Sequence, residues 1–330
     1  MVIDCHAHWI PPGVADALRR RSAPPRIAST PDGERLVTYQ GNRRFDAALG
    51  DLDARRSLMR RQGVAKQVLS LPGLFGIDCL PLEESAPLVR EFNDALTEAQ
   101  RAHPDNIAGL AALPLADVRL ARQELERACL QGLRGAILPA DAFRSLASAA
   151  RLAPLFEAGE RARCHFFIHP GPVEPHVEMQ VRDFPDDNAW QRRIVLETQA
   201  RLSEAMVTLN FSGYLDPYPN VTVQIANLGG TIPFLLERMD AVAREQPGER
   251  PLPSMHRARC YVDTASFGRR AIEMAVACFG ADRVVVGTDC PIFDTAHMLR
   301  SLAESRLDAK TRKLICFRNA QELLTDTGGP

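Results

Sequence analysis

Eight short β-rich runs, each followed by a longer amphipathic stretch, constrain this chain more than any other feature. They read VIDCH (2–6), KQVLSL (66–71), IAGLAAL (107–113), LRGAIL (133–138), CHFFIH (164–169), VTVQIA (221–226), RCYVDT (259–264) and RVVVGT (283–288). Helical periodicity lies between them, as in VREFNDALTEAQRAH before the third run and DVRLARQELERACL after it. Alternation of this kind implies a parallel α/β sheet, and eight repeats imply closure into a (β/α)8 TIM barrel. A doubly wound open sheet is the competing arrangement. No Gly-rich dinucleotide fingerprint follows the first run, which counts against it.

A barrel of this type accommodates all 330 residues as a single domain, 1–330, and a 45% hydrophobic composition allows it a large core. Two places break the rhythm. An insertion after the first strand, 11–63, contains RLVTYQGNRRF, which reads as a hairpin and loop. It is expected to cap the active site. A second excess lies between Gly171 and Tyr218, with the polar stretch VRDFPDDNAW ahead of a helix. Barrel enzymes place their chemistry on the loops that follow the strands. Both excesses follow runs that end in histidine.

The strand ends carry a coherent set of donors. The first run ends His6-Ala7-His8, the fifth His169-Pro170, the sixth Asn227-Leu228-Gly229-Gly230 and the eighth Thr288-Asp289-Cys290-Pro291. Residues two apart on a strand face the same side, so His6 and His8 both point toward the barrel axis. Adding His169 and Asp289 gives three imidazoles and one carboxylate at one mouth. That set suits a divalent metal with open positions for water or substrate. Asp4 shares parity with His6 and is placed to order a ligand from behind. Asp263 is expected to do likewise or to satisfy backbone amides. His165 has the parity of His169 but lies deeper, and reads as a hydrogen-bonded core residue. Cys290 reads as small-hydrophobe packing, and Arg44 as a solvated neighbour of Arg43.

The charge balance, 40 basic against 41 acidic residues, argues against nucleic acid. No apolar run approaches the ~20 residues of a membrane helix. Eight cysteines form no CxxC pair and lie mostly in apolar segments, as free thiols of a reducing cytosol do. The start of the chain shows no signal-peptide pattern. The expectation is a cytoplasmic protein with a small-molecule substrate, without nucleic-acid or membrane partners.

These motifs, together with LMRRQGVAKQVLS, FND, ETQARLS, LGGTIPFLLERMD, CYVDTASF, DRVVVGTDCP and RNAQELL, resemble the amidohydrolase superfamily. The resemblance runs nearly end to end. It is closest to the branch similar to 2-amino-3-carboxymuconate 6-semialdehyde decarboxylase and related non-oxidative aromatic acid decarboxylases. It implies one catalytic metal, usually zinc and sometimes manganese, held by His6, His8, His169 and Asp289. It also implies that Arg43 grips a substrate carboxylate and that Trp190 lines the pocket. Arg238 matches an arginine that such homodimers lend to the neighbouring active site.

One departure matters. The family usually carries histidine in an HGGG-like turn after strand six, where this chain has Asn227 in IANLGG. Asparagine donates and accepts hydrogen bonds but takes no proton at neutral pH, and general-base catalysis is typically worth 10²–10⁴-fold. Asp289 is the expected substitute, because strand-eight aspartates shuttle protons in this superfamily. His176, His256 and His297 are reserve candidates. The resulting expectation is a metal-dependent decarboxylase of a small aromatic or enoic carboxylic acid. The alternatives are a metal-dependent hydrolase of an amide, lactone or related bond with Asp289 as base, and a metal-binding barrel that has lost turnover.

Overall fold

A computed structural model describes residues 1–39, 41–174, 189–245, 252–255 and 258–325. The eight expected runs are all strands: β1 (Val2–His8), β5 (Val64–Ser70), β6 (Ile107–Gly109), β7 (Gly135–Pro139), β8 (His165–His169), β9 (Thr222–Ile225), β10 (Tyr261–Asp263) and β11 (Val284–Val285). They pair in parallel as a three-stranded unit, β1-β5-β6, and a five-stranded unit, β7-β8-β9-β10-β11. Single parallel bridges join the two units, Ala111 to Ala136 at one seam and Ala7 to Cys290 at the other. The second seam is reinforced by Cys5 N–H to the Val286 carbonyl and His8 N–H to the Cys290 carbonyl, both 2.8 Å. Strand order thus follows chain order around a (β/α)8 barrel.

Three further strands, β2 (Arg26–Thr30), β3 (Gly33–Thr38) and β4 (Gly41–Arg44), form an antiparallel meander inside the insertion.

Several barrel strands are shorter than their sequence runs, and side chains explain why. Past β11, the N–H of Gly287 donates to Thr264 Oγ1 at 3.1 Å and that of Thr288 to Asp4 Oδ1 at 3.0 Å. Past β6, the N–H of Ala112 donates to Asn93 Oδ1 at 2.9 Å. These groups are satisfied without a ladder partner. The strand ends therefore leave the sheet at the mouth, where functional loops begin.

Strand β8 shows how the core sorts its residues. Phe166 points outward onto Phe156 of the helix Ala153–Ala162, ring centroids 4.8 Å apart. Phe167 points inward and meets His6 at 4.7 Å. His165 shares the inward side, with Nδ1 2.9 Å from Thr222 Oγ1 and Nε2 3.4 Å from Gln224 Oε1. It is the satisfied core histidine that its depth implies. Neighbouring β7 begins at Gly135, φ 150°, where a Cβ would sit 2.0 Å from the His165 carbonyl oxygen. Only glycine allows that approach.

The insertion also contains the helix Leu52–Gln62, capped by Asp51, whose carboxylate accepts from Asp53 N and Ala54 N, and ended by Gly63 at φ 73°. Its apolar face holds Leu52, Leu58 and Met59, and among them the fully buried Arg55. No helix among the described residues is long and apolar enough to cross a membrane.

Candidate metal centre and active site

His6 and His8 reach the barrel mouth from β1, His169 from the end of β8 and Asp289 from the turn after β11. One ligating atom from each lies within 4.8 Å of all the others. The hydrogen bonds behind the rings fix which nitrogen faces inward. His6 Nδ1 donates to Asp263 Oδ2 at 3.1 Å. His169 Nδ1 donates to the Pro170 carbonyl at 2.8 Å. The Ser70 hydroxyl donates to the Ala7 carbonyl at 3.4 Å, so its oxygen is left to accept from His8 Nδ1 at 3.2 Å. Each ring is thereby held as the Nδ1–H tautomer, and three Nε2 lone pairs converge.

That convergence has no internal resolution. His8 Nε2 and His169 Nε2 stand 3.1 Å apart with no proton between them in this tautomer. Asp289 Oδ1 lies 3.2 Å from His8 Nε2 and 3.5 Å from His6 Nε2. His6 Nε2 and Asp289 Oδ1 are buried without a hydrogen-bond partner. Buried polar atoms are rarely orphaned, and here the orphans face one point. Ligand bonds of about 2.0–2.2 Å place nitrogen and oxygen donors roughly 3–4 Å apart, the spacing of the His8–His169, His8–Asp289 and His6–Asp289 pairs here. The donor set fits a divalent cation.

The electrostatics agree. Burial pulls the His6 pKa down, but Asp263, Asp289 and Asp4 outweigh it and carry the ring up to about 9. This field attracts positive charge. Burial, with His6 and Arg55 nearby, holds His8 well below the ordinary histidine range. Burial and the two other imidazoles do the same to His169. Burial raises the Asp289 pKa, opposed by His6, His169 and Arg43. A carboxyl in that position holds a proton more readily than an exposed one.

Two aspartates support the cluster. Asp263 accepts from His6 Nδ1, from Gln224 Nε2 at 2.8 Å, and from the backbone N–H groups of Asn227 and Ala265 at 3.1 and 3.0 Å. It both orients a ring and satisfies amides. Burial would raise its pKa, yet the His6 charge and these bonds bring it below the usual carboxylate range. Asp4 acts on the backbone instead, accepting from His6 N, Thr288 N, Thr288 Oγ1 and Gln67 Nε2. It links the first strand to the turn that carries Asp289.

Asn227 and Asp289 share a strained feature, φ 53° in each, and Leu228 follows Asn227 at φ 58°. Left-handed backbone costs a non-glycine residue about 1–2 kcal/mol. At Asn227 the strain is held by the Asp263 bond and by Ser266 Oγ donating to the Asn227 carbonyl at 2.9 Å. Its side-chain amide is half-buried and makes no hydrogen bond to the described residues.

Arg43 lies on β4, half-buried, with its guanidinium carbon 5.6 Å from the Phe75 ring centroid. Burial lowers its pKa, while the charges of Asp289 and Asp46 support it. Arg44 is exposed. Arg238 is exposed on the helix Ile232–Glu245 and is not among the cations that act on Asp289. Trp190 is the first residue of the helix Trp190–Phe211, but its side chain lies outside the described residues, as do His176 and His256. His297 is exposed, its ring 6.0 Å from Phe267. Cys290 is buried, its sulfur 3.2 Å from Arg55 Nη1.

Arg55 is the residue that reading the sequence missed. Its guanidinium donates to the His8 carbonyl and, at 3.1 Å, to the Cys290 carbonyl. One buried cation thus ties together the ends of two strands that carry the cluster. It stands in an arginine-rich stretch, RRSLMRR (55–61), that disguises it. Its spacing from Leu52, Leu58 and Met59, which puts it on the apolar helix face, was the available signal.

Comparison with known proteins extends the geometric reading. Gamma-resorcylate decarboxylase from Polaromonas sp. JS666 is 26% identical over 289 residues, covering 82% of this chain and 86% of the relative. The 2-amino-3-carboxymuconate-6-semialdehyde decarboxylase of Dictyostelium discoideum is 27% identical over 256 residues, covering 76% and 69%. A crystal structure of dihydroxybenzoic acid decarboxylase from Polaromonas sp. JS666, with bound manganese and 2-nitroresorcinol, superposes with a TM-score of 0.73. It is 22% identical, covering 98% of this chain and 96% of that one. The amidohydrolase family model matches residues 3–325. A match that begins three residues ahead of His6 and ends beyond the last barrel strand takes in nearly the whole fold, and the chain belongs to the amidohydrolase family.

Proposed function

We propose that this protein is a metal-dependent, non-oxidative decarboxylase of small aromatic or enoic carboxylic acids. The observation that carries the reading is the convergence of His6, His8, His169 and Asp289 around two orphaned buried atoms, in a chain whose curated relatives are decarboxylases. The four residues would hold one divalent cation, zinc in the first instance and manganese as the alternative. When bound, it supplies Lewis-acid polarisation of a substrate oxygen. Arg43 binds the carboxylate or a neighbouring polar oxygen. Asp289 relays a proton to the carbon bearing the carboxylate. The C–C bond then breaks, its electron pair returns to the ring or alkene, and CO₂ leaves. Asn227 orients the substrate or a water without taking a proton. Residues 11–63 cap this site, a role supported by β4 bringing Arg43 to where it acts on Asp289. The eight free cysteines support a reducing, cytoplasmic setting.

The test is a screen of metal-replete protein against aromatic and enoic carboxylates, with elemental analysis of the same sample. About one divalent ion per chain, and CO₂ release that a chelator abolishes, are expected. Solvent oxygen entering the product would show hydrolysis instead. One bound ion without turnover across the screen would show a degenerate barrel.

Arg43 gives a sharper prediction. A guanidinium grips a carboxylate through two parallel bonds that lysine cannot copy. Arg43→Lys is expected to lower kcat/KM about 10–100-fold, the worth of a charge-assisted bond of roughly 1.5–3 kcal/mol. Metal content and melting temperature should not change. Unaltered kinetics would make Arg43 a solvated surface residue.

A homodimer is also proposed, with Arg238 near the partner's pocket. Phe234, Arg238 and Val242 are spaced four apart on one helix, and the two apolar members are 76% and 53% exposed. Such a stripe is more economically covered than left in water. Sedimentation velocity at micromolar concentration is expected to show a dimer, and Phe234→Glu a monomer. A wild-type monomer rules out the shared-site role of Arg238.

A further inference from the structure

At the end of the barrel away from the metal cluster, two thiols face each other. Cys129 is the penultimate residue of the helix Val118–Leu130, and Cys164 immediately precedes β8. Their sulfurs are 3.4 Å apart, Cys129 partly exposed and Cys164 buried. The helix bearing Cys129 packs on the helix Ala153–Ala162 that leads into Cys164. The remaining six cysteines are also free, and none of them has a second sulfur described within bonding reach.

We infer that Cys129 and Cys164 form a reversible oxidation site, a dithiol that a two-electron oxidant such as hydrogen peroxide converts into a disulfide. The sulfurs must close from 3.4 Å to about 2.05 Å, a movement within the reach of side-chain rotation. The environment separates their roles. Cys129 lies at the partly exposed side of the pair, and Cys164 is buried beneath it. Cys129 is thus the sulfur that an oxidant in solution reaches first. Its thiolate attacks one peroxide oxygen, the O–O bond breaks, and the departing hydroxide takes up the thiol proton as water. The Cys164 sulfur then attacks the Cys129 sulfenic acid, the S–O bond breaks, and a second water leaves with the Cys164 proton. Two thiols and one peroxide give one disulfide and two waters.

His169 lies five residues further along the strand, roughly 16 Å away at about 3.3 Å per residue. The disulfide therefore acts on the scaffold and not on the reacting groups. It joins two points 35 residues apart, restricting the unfolded chain, so oxidation should raise the melting temperature by about 5 °C.

The test treats reduced, folded protein with stoichiometric hydrogen peroxide and maps the peptides without reduction. A single crosslink between the peptides containing Cys129 and Cys164 is expected, reversed by dithiothreitol and absent in Cys129→Ser. In Cys164→Ser, the sulfenic acid at Cys129 persists and is trapped by dimedone. The proposal is overturned if both residues stay reduced while other cysteines oxidise, or if the crosslink forms only in urea.

Discussion

Asp289→Asn is expected to slow single-turnover CO₂ release by about 10²–10⁴-fold, the range that general acid–base catalysis contributes. Asn227→Ala is expected to cost only about fivefold, near 1 kcal/mol, as loss of one neutral hydrogen bond does. The contrast follows from what each side chain can do. Asp289 is partly buried, the desolvation raises its pKa, and its Oδ1 stands 3.2 Å from His8 Nε2. It can hold a proton and release it. Asn227 stands where the resemblance to the family leads one to expect histidine, but its amide cannot ionise in this range. Metal content must be measured in both variants, because Asp289 also belongs to the donor cluster and an empty Asp289→Asn protein would report only lost binding. A larger loss in Asn227→Ala than in Asp289→Asn at equal occupancy would falsify the assignment of Asp289 as the proton donor.

Asp263→Ala is the second change with a large expected effect, this time on stability. The substitution leaves His6 Nδ1, Gln224 Nε2 and the N–H groups of Asn227 and Ala265 without the acceptor they share. Removing one member of a buried charged network typically costs about 3–5 kcal/mol, chiefly through the partners left behind. Urea denaturation of metal-free protein should show that loss. Affinity for the divalent ion should fall about 10–100-fold, because His6 is no longer held in the tautomer that presents Nε2. Asp263→Asn keeps one carbonyl acceptor and should lose less in both assays. Matching midpoints for Asp263→Ala and the parent would show that the carboxylate is dispensable to the fold.

The parts of this molecule that were legible in the sequence are those that repeat or alternate. The eight strands follow from runs of apolar and β-branched residues, and the inward direction of His6 and His8 from the two-residue period of a strand. His169 and Asp289 were found because they end such runs. What escaped has a physical reason in each case. The strands β6 and β11 are shorter than their runs because Asn93, Thr264 and Asp4 bond the neighbouring amides through side chains. No local pattern announces partners that lie 19, 23 and 284 residues away. The dual task of Asp263 depends on a histidine 257 positions earlier. Arg55 was hidden differently. Arginine is so often exposed that its place on an apolar helix face was outweighed by its charge. Ser70, which selects the His8 tautomer, carries no signal beyond its position at the end of β5.

The seam between β1 and β11 also fixes when the centre can be assembled. His6 and His8 precede Asp289 in the chain by about 280 residues, yet Cys5 and His8 bond across the seam to Val286 and Cys290, and both histidines share a cluster with Asp289. Domains are built vectorially during synthesis, at about 5–20 residues per second. A nascent chain of this protein therefore carries first two and, once His169 emerges, all three of its imidazole donors before the aspartate that completes them. Any ion taken up before the eighth strand emerges meets only a partial donor set and can exchange freely. The complete donor set exists only where Arg55 and Asp4 hold the two ends of the barrel together.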